Sequence, residues 1–425
     1  MIDSRVVATY LIETPLPVEQ AAEALAGEQS TGTFVSVPGE TQALKERFRA
    51  RVERIELLEE VDAPSLPGAK APSSGSGRYR RAKVTVSFPL ENMGTNLPAL
   101  FSTVLGNLFE LRELSGLRLL DIDLPRAFAE RYPGPQFGIE GTRRLAGVTG
   151  RPIVGTIIKP SVGLSPEETA EIVYRLALAG IDFIKDDELM ASPPHSPLER
   201  RVEKVMEAVD RAAQKTGRKV MFAFNITDEP DAMLRHHDAV VAAGGTCVMV
   251  SLNSVGFAGL SLLRRHCRLP IHGHRNGWGM LTRYPQLGLE FTAYQKFWRL
   301  LGVDQIHVNG LQNKFFESDE SVVRSITACL EPLFDGHAAG APVMPVVSSG
   351  QWGGQAPETY ARTGTVDLMY LAGGGIMAHP GGPEAGVRAI RQAWEAAVLG
   401  IPLEEYAREH PELRQSIEKF GKKGE

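Results

Sequence analysis

The chain has 425 residues, 43% of them hydrophobic and 23% charged, with a formal net charge of −5. That length exceeds what one compact core serves and implies two domains, or a barrel with an extension. The mild acidity excludes a general affinity for nucleic acid or for an anionic membrane surface. The 3 cysteines, Cys247, Cys267 and Cys329, are too few and too scattered for a disulfide framework or a cysteine metal site, and read as buried thiols. The N-terminus lacks the basic head and apolar run of a signal peptide, and no apolar stretch approaches the ~20 residues of a membrane span. The expectation is a cytoplasmic protein.

Strand-like runs at 6–11, 52–61 and 82–88, with helical patterns at 17–26 and near 97–108, predict an N-terminal α+β domain of ferredoxin-like type over residues 1–124. Within it, residues 64–78 are rich in Pro, Gly and Ser and read as an exposed loop. Residues 125–150 read as a linker with a short helix. Over 151–425 the pattern becomes a repeat of apolar strand, loop and helix, ending in C-terminal helices. Candidate strands lie at 153–158, 181–184, 220–225, 246–252, 270–274, 305–308, 344–348 and 367–372. The first helix is well marked: Ser165 as N-cap, Pro166 in the first turn, Glu167 and Glu168 at the positive end, Gly180 after its close. Strands alternating with helices over ~250 residues predict a (β/α)8 TIM barrel. A doubly wound open sheet is the alternative.

In such a barrel, chemistry gathers at the C-terminal ends of the strands. Lys159 follows the first strand, Lys185 to Glu188 the second and Asn225 the third. His272, His274 and Arg275 end the fifth, His307 and Asn309 the sixth, Ser348 to Gly350 the seventh, and Gly373 to Gly375 the eighth. The run Lys185-Asp186-Asp187-Glu188 has two readings. It is either a strand end with solvated charges, or a site in which CO2 carbamylates Lys185. The carbamate, Asp187 and Glu188 then make the all-oxygen donor set that Mg2+ takes.

His272 and His274 share one side of their strand. Such a pair can bind zinc, as in dinuclear amidohydrolases, but there the histidine pair precedes the lysine along the barrel. One histidine is therefore expected to act as acid or base and the other to pack or hydrogen-bond. The glycine-rich ends of the last strands read as phosphate cradles, where backbone N–H groups can approach an anion. Residues 309–320 hold a single lysine, Lys314, in a loop that either closes over substrate or merely connects.

Six segments carry a resemblance: Gly-Thr-Ile-Ile-Lys-Pro at 155–160, Gly-Ile-Asp-Phe-Ile-Lys-Asp-Asp-Glu at 180–188, His-Gly-His-Arg at 272–275, Asp-Gln-Ile-His at 304–307, Pro-Val-Val-Ser-Ser-Gly at 345–350 and Gly-Gly-Gly-Ile-Met-Ala-His-Pro at 373–380. The chain resembles the large subunit of ribulose-bisphosphate carboxylase, and more closely the Rubisco-like (type IV) proteins, over nearly its whole length. The resemblance implies that Lys185 is the carbamylated lysine and that Asp187 and Glu188 complete the Mg2+ ligands. It implies that Lys159 is the acid/base group, that His274 assists proton transfer, and that Lys314 closes on the substrate from a mobile loop. Arg275, His307 and Ser348 would hold a phosphate, with backbone amides from Gly350, Gly373 and Gly374. Glu28, Thr33 and Asn107 match residues lent to a neighbouring subunit's site, which implies a homodimer or a multiple of dimers.

Departures from the carboxylase pattern are Ser161 for a lysine, Trp278 and Gln305 for histidines, Phe34 for a tryptophan and Ser349 for a glycine. They put a bisphosphate substrate and CO2 fixation in doubt. Residues 273–279 and 349–355 resemble an acid-sugar branch that includes decarboxylases of 3-oxo-isoapionate 4-phosphate. The leading expectation is a Mg2+-dependent carboxy-lyase of carbohydrate catabolism that forms an enolate from a phosphorylated keto sugar or keto acid. The rivals are a methionine-salvage enolase or isomerase, with Trp278 or Trp352 lining a thioether pocket, and a non-catalytic metabolite-binding relative. True carboxylase activity ranks last.

Overall fold

The computed structural model describes residues 4–32, 37–72 and 77–421. The chain falls into two compact units, one of Met1–Pro133 with Gly277–Leu300, the other of Gly134–Asn276 with Leu301–Glu425.

The first unit contains β1 (Arg5–Thr14), α1 (Val18–Glu28), α2 (Gln42–Phe48), β2 (Arg51–Val61), β3 (Tyr79–Pro89), α3 (Leu97–Val104), β4 (Gly116–Asp123) and α4 (Ala127–Arg131). Along β1 every second residue is apolar, so Val6, Ala8, Tyr10 and Ile12 are wholly buried. Strands β4-β1-β3-β2 form an antiparallel sheet in ferredoxin-like order. Its outer strand β2 is rich in Arg and Glu and largely exposed, a charge pattern that discourages edge pairing with another chain.

Strand β4 was not among the expected elements, because Gly-Leu-Arg-Leu-Leu-Asp-Ile-Asp lacks a two-residue period. Arg118 in its interior is buried and donates to the carbonyls of Thr282, Tyr284 and Leu287 and to Glu290. A guanidinium fork can satisfy several acceptors at once. It thereby anchors the segment that follows, α10 (Trp278–Thr282), β10 (Leu287–Leu289) and α11 (Phe291–Leu300), with β10 parallel to β4.

The second unit begins with α5 (Gly138–Ala146). It continues through β5 (Ile153–Ile157), α6 (Pro166–Leu178), β6 (Phe183–Lys185), α7 (Leu198–Thr216), β7 (Met221–Asn225), α8 (Pro230–Ala242), β8 (Cys247–Ser251), α9 (Leu252–His266) and β9 (Ile271–His274). After the excursion to the first unit come β11 (Gln305–His307), α12 (Asp319–Leu330), β12 (Met344–Val347), α13 (Ala356–Thr363), β13 (Met369–Leu371), α14 (Gly373–Met377), α15 (Gly382–Leu399), α16 (Leu403–Tyr406) and α17 (Pro411–Phe420).

The eight strands β5–β9 and β11–β13 close on themselves, all parallel, which excludes the open-sheet alternative. The barrel core stacks Ile153, Phe183, Met221, Cys247, Met249, Met344, Val346 and Met369, with Ala146 and Val148 packed on it. Helix α6 carries the expected Ser165 N-cap, here as a capping box in which Glu168 N–H donates to Ser165 Oγ at 3.2 Å and Ser165 N–H to Glu168 Oε2 at 2.8 Å. All three cysteines are buried, and no described helix is long and apolar enough to cross a membrane.

Candidate active site

Lys185 is the last residue of β6, and its side chain is 1% exposed. Nζ donates to the Asp186 carbonyl at 2.8 Å and lies 3.7 Å from Glu188 Oε2. Burial lowers its pKa despite the attraction of Glu188, Asp187 and Asp186. The reading of this run as a solvated strand end therefore fails: the lysine sits inside the barrel, where water cannot stabilise its charge. Asp186 is also buried, but it is occupied structurally by Arg201 at 3.2 Å and by the Asn225 N–H at 3.0 Å.

Asp187 turns toward the first strand. Its Oδ2 accepts from Lys159 Nζ at 2.8 Å, and Lys159 also donates to Ser161 Oγ at 2.6 Å. Burial pushes the Asp187 carboxyl up, but hydrogen bonds from Lys159, the Leu189 N–H and Ser161 outweigh it and hold the carboxyl below its ordinary value. Asn225 at the end of β7 donates to the carbonyls of Asp187 and Glu188, fixing the turn that presents both carboxylates.

Strands β9, β11 and β12 contribute a connected histidine cluster. His272 hydrogen-bonds Gln305 Oε1 and His307 Nε2, each at 2.8 Å, and His307 Nδ1 lies 3.1 Å from Ser348 Oγ. His274, two residues along, approaches Glu188 Oε2 at 3.5 Å. Burial, reinforced by Lys185, pulls the His274 pKa down to about 3. It holds His272 and His307 well below the ordinary imidazole value as well. Within the pair, His272 is packed and bonded, and His274 reaches the carboxylate.

The loop after β11 runs to the end of β12, where the Lys314 N–H donates to the Ser349 carbonyl at 3.3 Å and Gly350 packs beside it. Asn309 and Ser349 both adopt left-handed backbone, with φ of 65° and 76°, and are tied by Ser349 Oγ donating to Asn309 Oδ1 at 2.7 Å. Arg275 pairs with Glu317 at 2.7 Å, each side chain 5% exposed, and Glu317 also accepts from Asn309 and Ser321. After β13 the three glycines open a short helix. Gly375 is required sterically, since a Cβ there would lie 2.6 Å from the Gln351 carbonyl, whereas a Cβ at Gly374 would meet nothing. The backbone at Gly374 is thus open to a ligand.

Glu28, at the end of α1, and Asn107, in the turn Gly106–Glu110, are exposed residues of the first unit, and Thr33 and Phe34 lie outside the described residues. Trp278 is buried in the first unit against Phe291 and Tyr294, and Trp352 packs against Phe420. Sequence reasoning missed Arg201 and Glu317, which bind site residues from positions that read as ordinary helix and loop charges.

The donor set at the end of β6 fits a hard divalent cation. It offers two carboxylates and a buried amine, the group that CO2 would carbamylate, and it offers no thiolate.

Comparison with known proteins identifies the family. Residues 138–420 match the catalytic domain of the ribulose bisphosphate carboxylase large chain, and residues 2–128 match its N-terminal domain. The chain belongs to the ribulose-bisphosphate carboxylase large-chain family. Within it, the chain is 56% identical over 414 residues to a 3-oxo-isoapionate-4-phosphate decarboxylase of Rhizobium etli, covering 97% of this chain and 98% of that one. It is 55% identical over 416 residues to a 3-oxo-isoapionate-4-phosphate transcarboxylase/hydrolase of Xanthobacter autotrophicus, covering 98% and 99%. The crystal structure of a rubisco-like protein from Burkholderia fungorum superposes with a TM-score of 0.91 at 48% identity, covering 98% of this chain and 100% of that one. The resemblance drawn from the six motifs is thus met. The departures Ser161, Gln305 and Ser349 all take part in hydrogen bonds among the site residues.

Proposed function

We propose that this protein is a decarboxylase of a 3-oxo sugar-acid phosphate, acting on 3-oxo-isoapionate 4-phosphate or a close analogue. The observation that carries the reading is the joined group Lys159–Asp187 and Lys185–Glu188–His274, in a chain 56% identical to a decarboxylase of that substrate. In a β-keto acid the bond to the carboxylate carbon breaks, CO2 leaves, and the electron pair delocalises onto the keto oxygen as an enolate. A proton delivered to carbon then yields the ketone.

Mg2+ held by carbamylated Lys185, Asp187 and Glu188 would supply Lewis-acid polarisation of the keto oxygen. The rest is done by side chains. Lys159, which donates to Asp187 and Ser161, stands as the acid that protonates the enolate carbon. His274, neutral at pH 7, is available to accept or return a proton beside Glu188. Backbone amides of Gly350, Gly373 and Gly374 would receive the phosphate, and Lys314 would close over it. Glu28, Thr33 and Asn107 would act in a partner subunit's site, making a homodimer the working unit.

The test is direct. With Mg2+ and bicarbonate, the purified protein should release CO2 from 3-oxo-isoapionate 4-phosphate. The transcarboxylase/hydrolase relative at 55% identity favours a second outcome: the carboxyl group retained in a product with no CO2 freed, which would overturn decarboxylation. Proton exchange on a methylthio sugar phosphate without CO2 release would instead point to the methionine-salvage reading.

A further inference from the structure

Gln305 is buried at the start of β11, and its amide is oriented by its neighbours. Nε2 donates to Thr142 Oγ1 at 3.3 Å and to Met221 Sδ at 3.6 Å. A thioether sulfur can only accept, so the nitrogen belongs on that side and Oε1 faces His272. The rest follows in sequence along the chain of contacts. An amide oxygen can only accept, so His272 Nδ1 carries the hydrogen across the 2.8 Å contact. A neutral imidazole has one N–H, which leaves His272 Nε2 bare. His307 Nε2, 2.8 Å away, must therefore be the donor. His307 Nδ1 is then bare, and the Ser348 O–H donates to it at 3.1 Å. Full burial of both rings favours this neutral pair over an imidazolium. The neighbouring Ser349 hydroxyl spends its hydrogen on Asn309 Oδ1 and does not compete.

We propose that Gln305 is a positioning residue that fixes the hydrogen-bond direction through His272 and His307, so that Ser348 presents only lone pairs to what enters the open end of the barrel. A wall of this kind recognises a donor, namely a hydroxyl of the substrate. It disfavours a phosphate, whose oxygens are acceptors, and His307 has no N–H left to offer one. This revises the expectation that His307 and Ser348 bind phosphate, and leaves that task to the glycine backbone. Reversing the Gln305 amide would reverse every donor in the chain and turn Ser348 into a donor toward an anion, so the acceptor at position 305 sets the polarity of the wall. The step from wall to substrate hydroxyl rests on the decarboxylase reading; the tautomers do not.

The experiment is two-bond 1H–15N correlation spectroscopy on the full-length protein labelled with 15N-histidine, at pH 7.5, with assignments from His272→Asn and His307→Asn. The expected result is His272 protonated at Nδ1 and His307 at Nε2, both neutral, with His307 unchanged by saturating inorganic phosphate. In Gln305→Met the acceptor is gone, and the two tautomers should average or reverse. Reversed tautomers or an imidazolium in the parent protein would overturn the proposal, as would a His307 Nδ1–H appearing on phosphate addition. So would parent-like tautomers in a folded Gln305→Met; if that variant does not fold, the parent spectrum still decides the direction. Correct tautomers in a protein that releases no CO2 would sink the decarboxylase reading alone.

Discussion

At the N-terminal ends of the barrel strands, Asp182 and Asp304 are wholly buried and saturated. Asp182 accepts from Arg151, Arg218, Arg391 and the Val154 N–H. Asp304 accepts from Arg264 and from the N–H groups of Phe137, Gly138 and Ile271. At the opposite ends, Asp187 and Glu188 face lysines and a histidine, and the Glu188 side chain stays 34% exposed. Both kinds of carboxylate occur in one nine-residue motif, 180–188, whose Asp182 immediately precedes β6 and whose Lys185 ends it. An acidic residue with every lone pair taken by arginines and backbone amides holds the barrel together. One that shares its partners with an amine able to change its protonation state is equipped for chemistry.

The sharpest way to break this contrast is at Lys185. Lys185→Ala should lower CO2 release by roughly 10³-fold, the scale of losing a charge-stabilising group in an active site. Its melting temperature should hold or rise, because a buried amine is removed. Turnover within tenfold of the parent, in protein shown to be folded by circular dichroism, would end the assignment.

At the other end the effects should invert. Asp304→Ala strands the buried Arg264 guanidinium and three backbone N–H groups. Breaking a buried pair on one side costs about 3–5 kcal/mol, so urea unfolding should show a loss of that order, while kcat of the folded fraction stays near the parent's. A large fall in kcat with unchanged stability would erase the distinction between the two ends.

This contrast was only half legible in the sequence. The eight strands were, because each is a short apolar run closed by polar residues, and Ser165 marked its helix by a local rule. The positions of Lys159, Lys185, His274 and Ser348 followed from strand ends alone. The saturating partners were not legible: Arg201 lies 15 residues from Asp186 and Glu317 lies 42 from Arg275, and a charge on a helix or loop reads as solvated until the fold brings its partner. For the same reason β4 escaped, since the carbonyls and carboxylate that Arg118 serves lie more than 160 residues away. Trp278 read as a pocket residue because its neighbour in sequence is the barrel, whereas its neighbours in space are Phe291 and Tyr294 of the other unit.

A smaller effect tests the histidines that line the chemical end. His272 and His307 have folded pKa values below the ordinary 6.5 because of burial. Below about pH 6.5 the unfolded chain therefore binds protons that the folded one does not, and stability falls as pH drops. The slope should be on the order of 1 kcal/mol per pH unit for each histidine. Thermal unfolding between pH 7.5 and 5.5 measures it, and His307→Asn should flatten it. A profile that is flat or rises toward acid would mean that these rings are charged in the fold.

The finest probe is Ser349, which stands between the two behaviours: it is strained like a functional residue and bonded like a structural one. Its φ of 76° lies in the left-handed region, which costs a residue with a side chain about 1–2 kcal/mol. Its hydroxyl recovers part of that through Asn309 Oδ1, and a typical hydrogen bond contributes roughly 0.5–1.5 kcal/mol. Ser349→Gly removes both, so the net change in stability should be under about 1 kcal/mol. Activity is where the difference should appear. The Ser349 carbonyl accepts the Lys314 N–H, so a looser backbone there should let the Lys314 loop move more freely. The expected result is a KM raised a fewfold with kcat retained. If stability rises by the full strain energy while KM stays fixed, the hydroxyl bond contributes nothing and Ser349 belongs with neither end of the barrel.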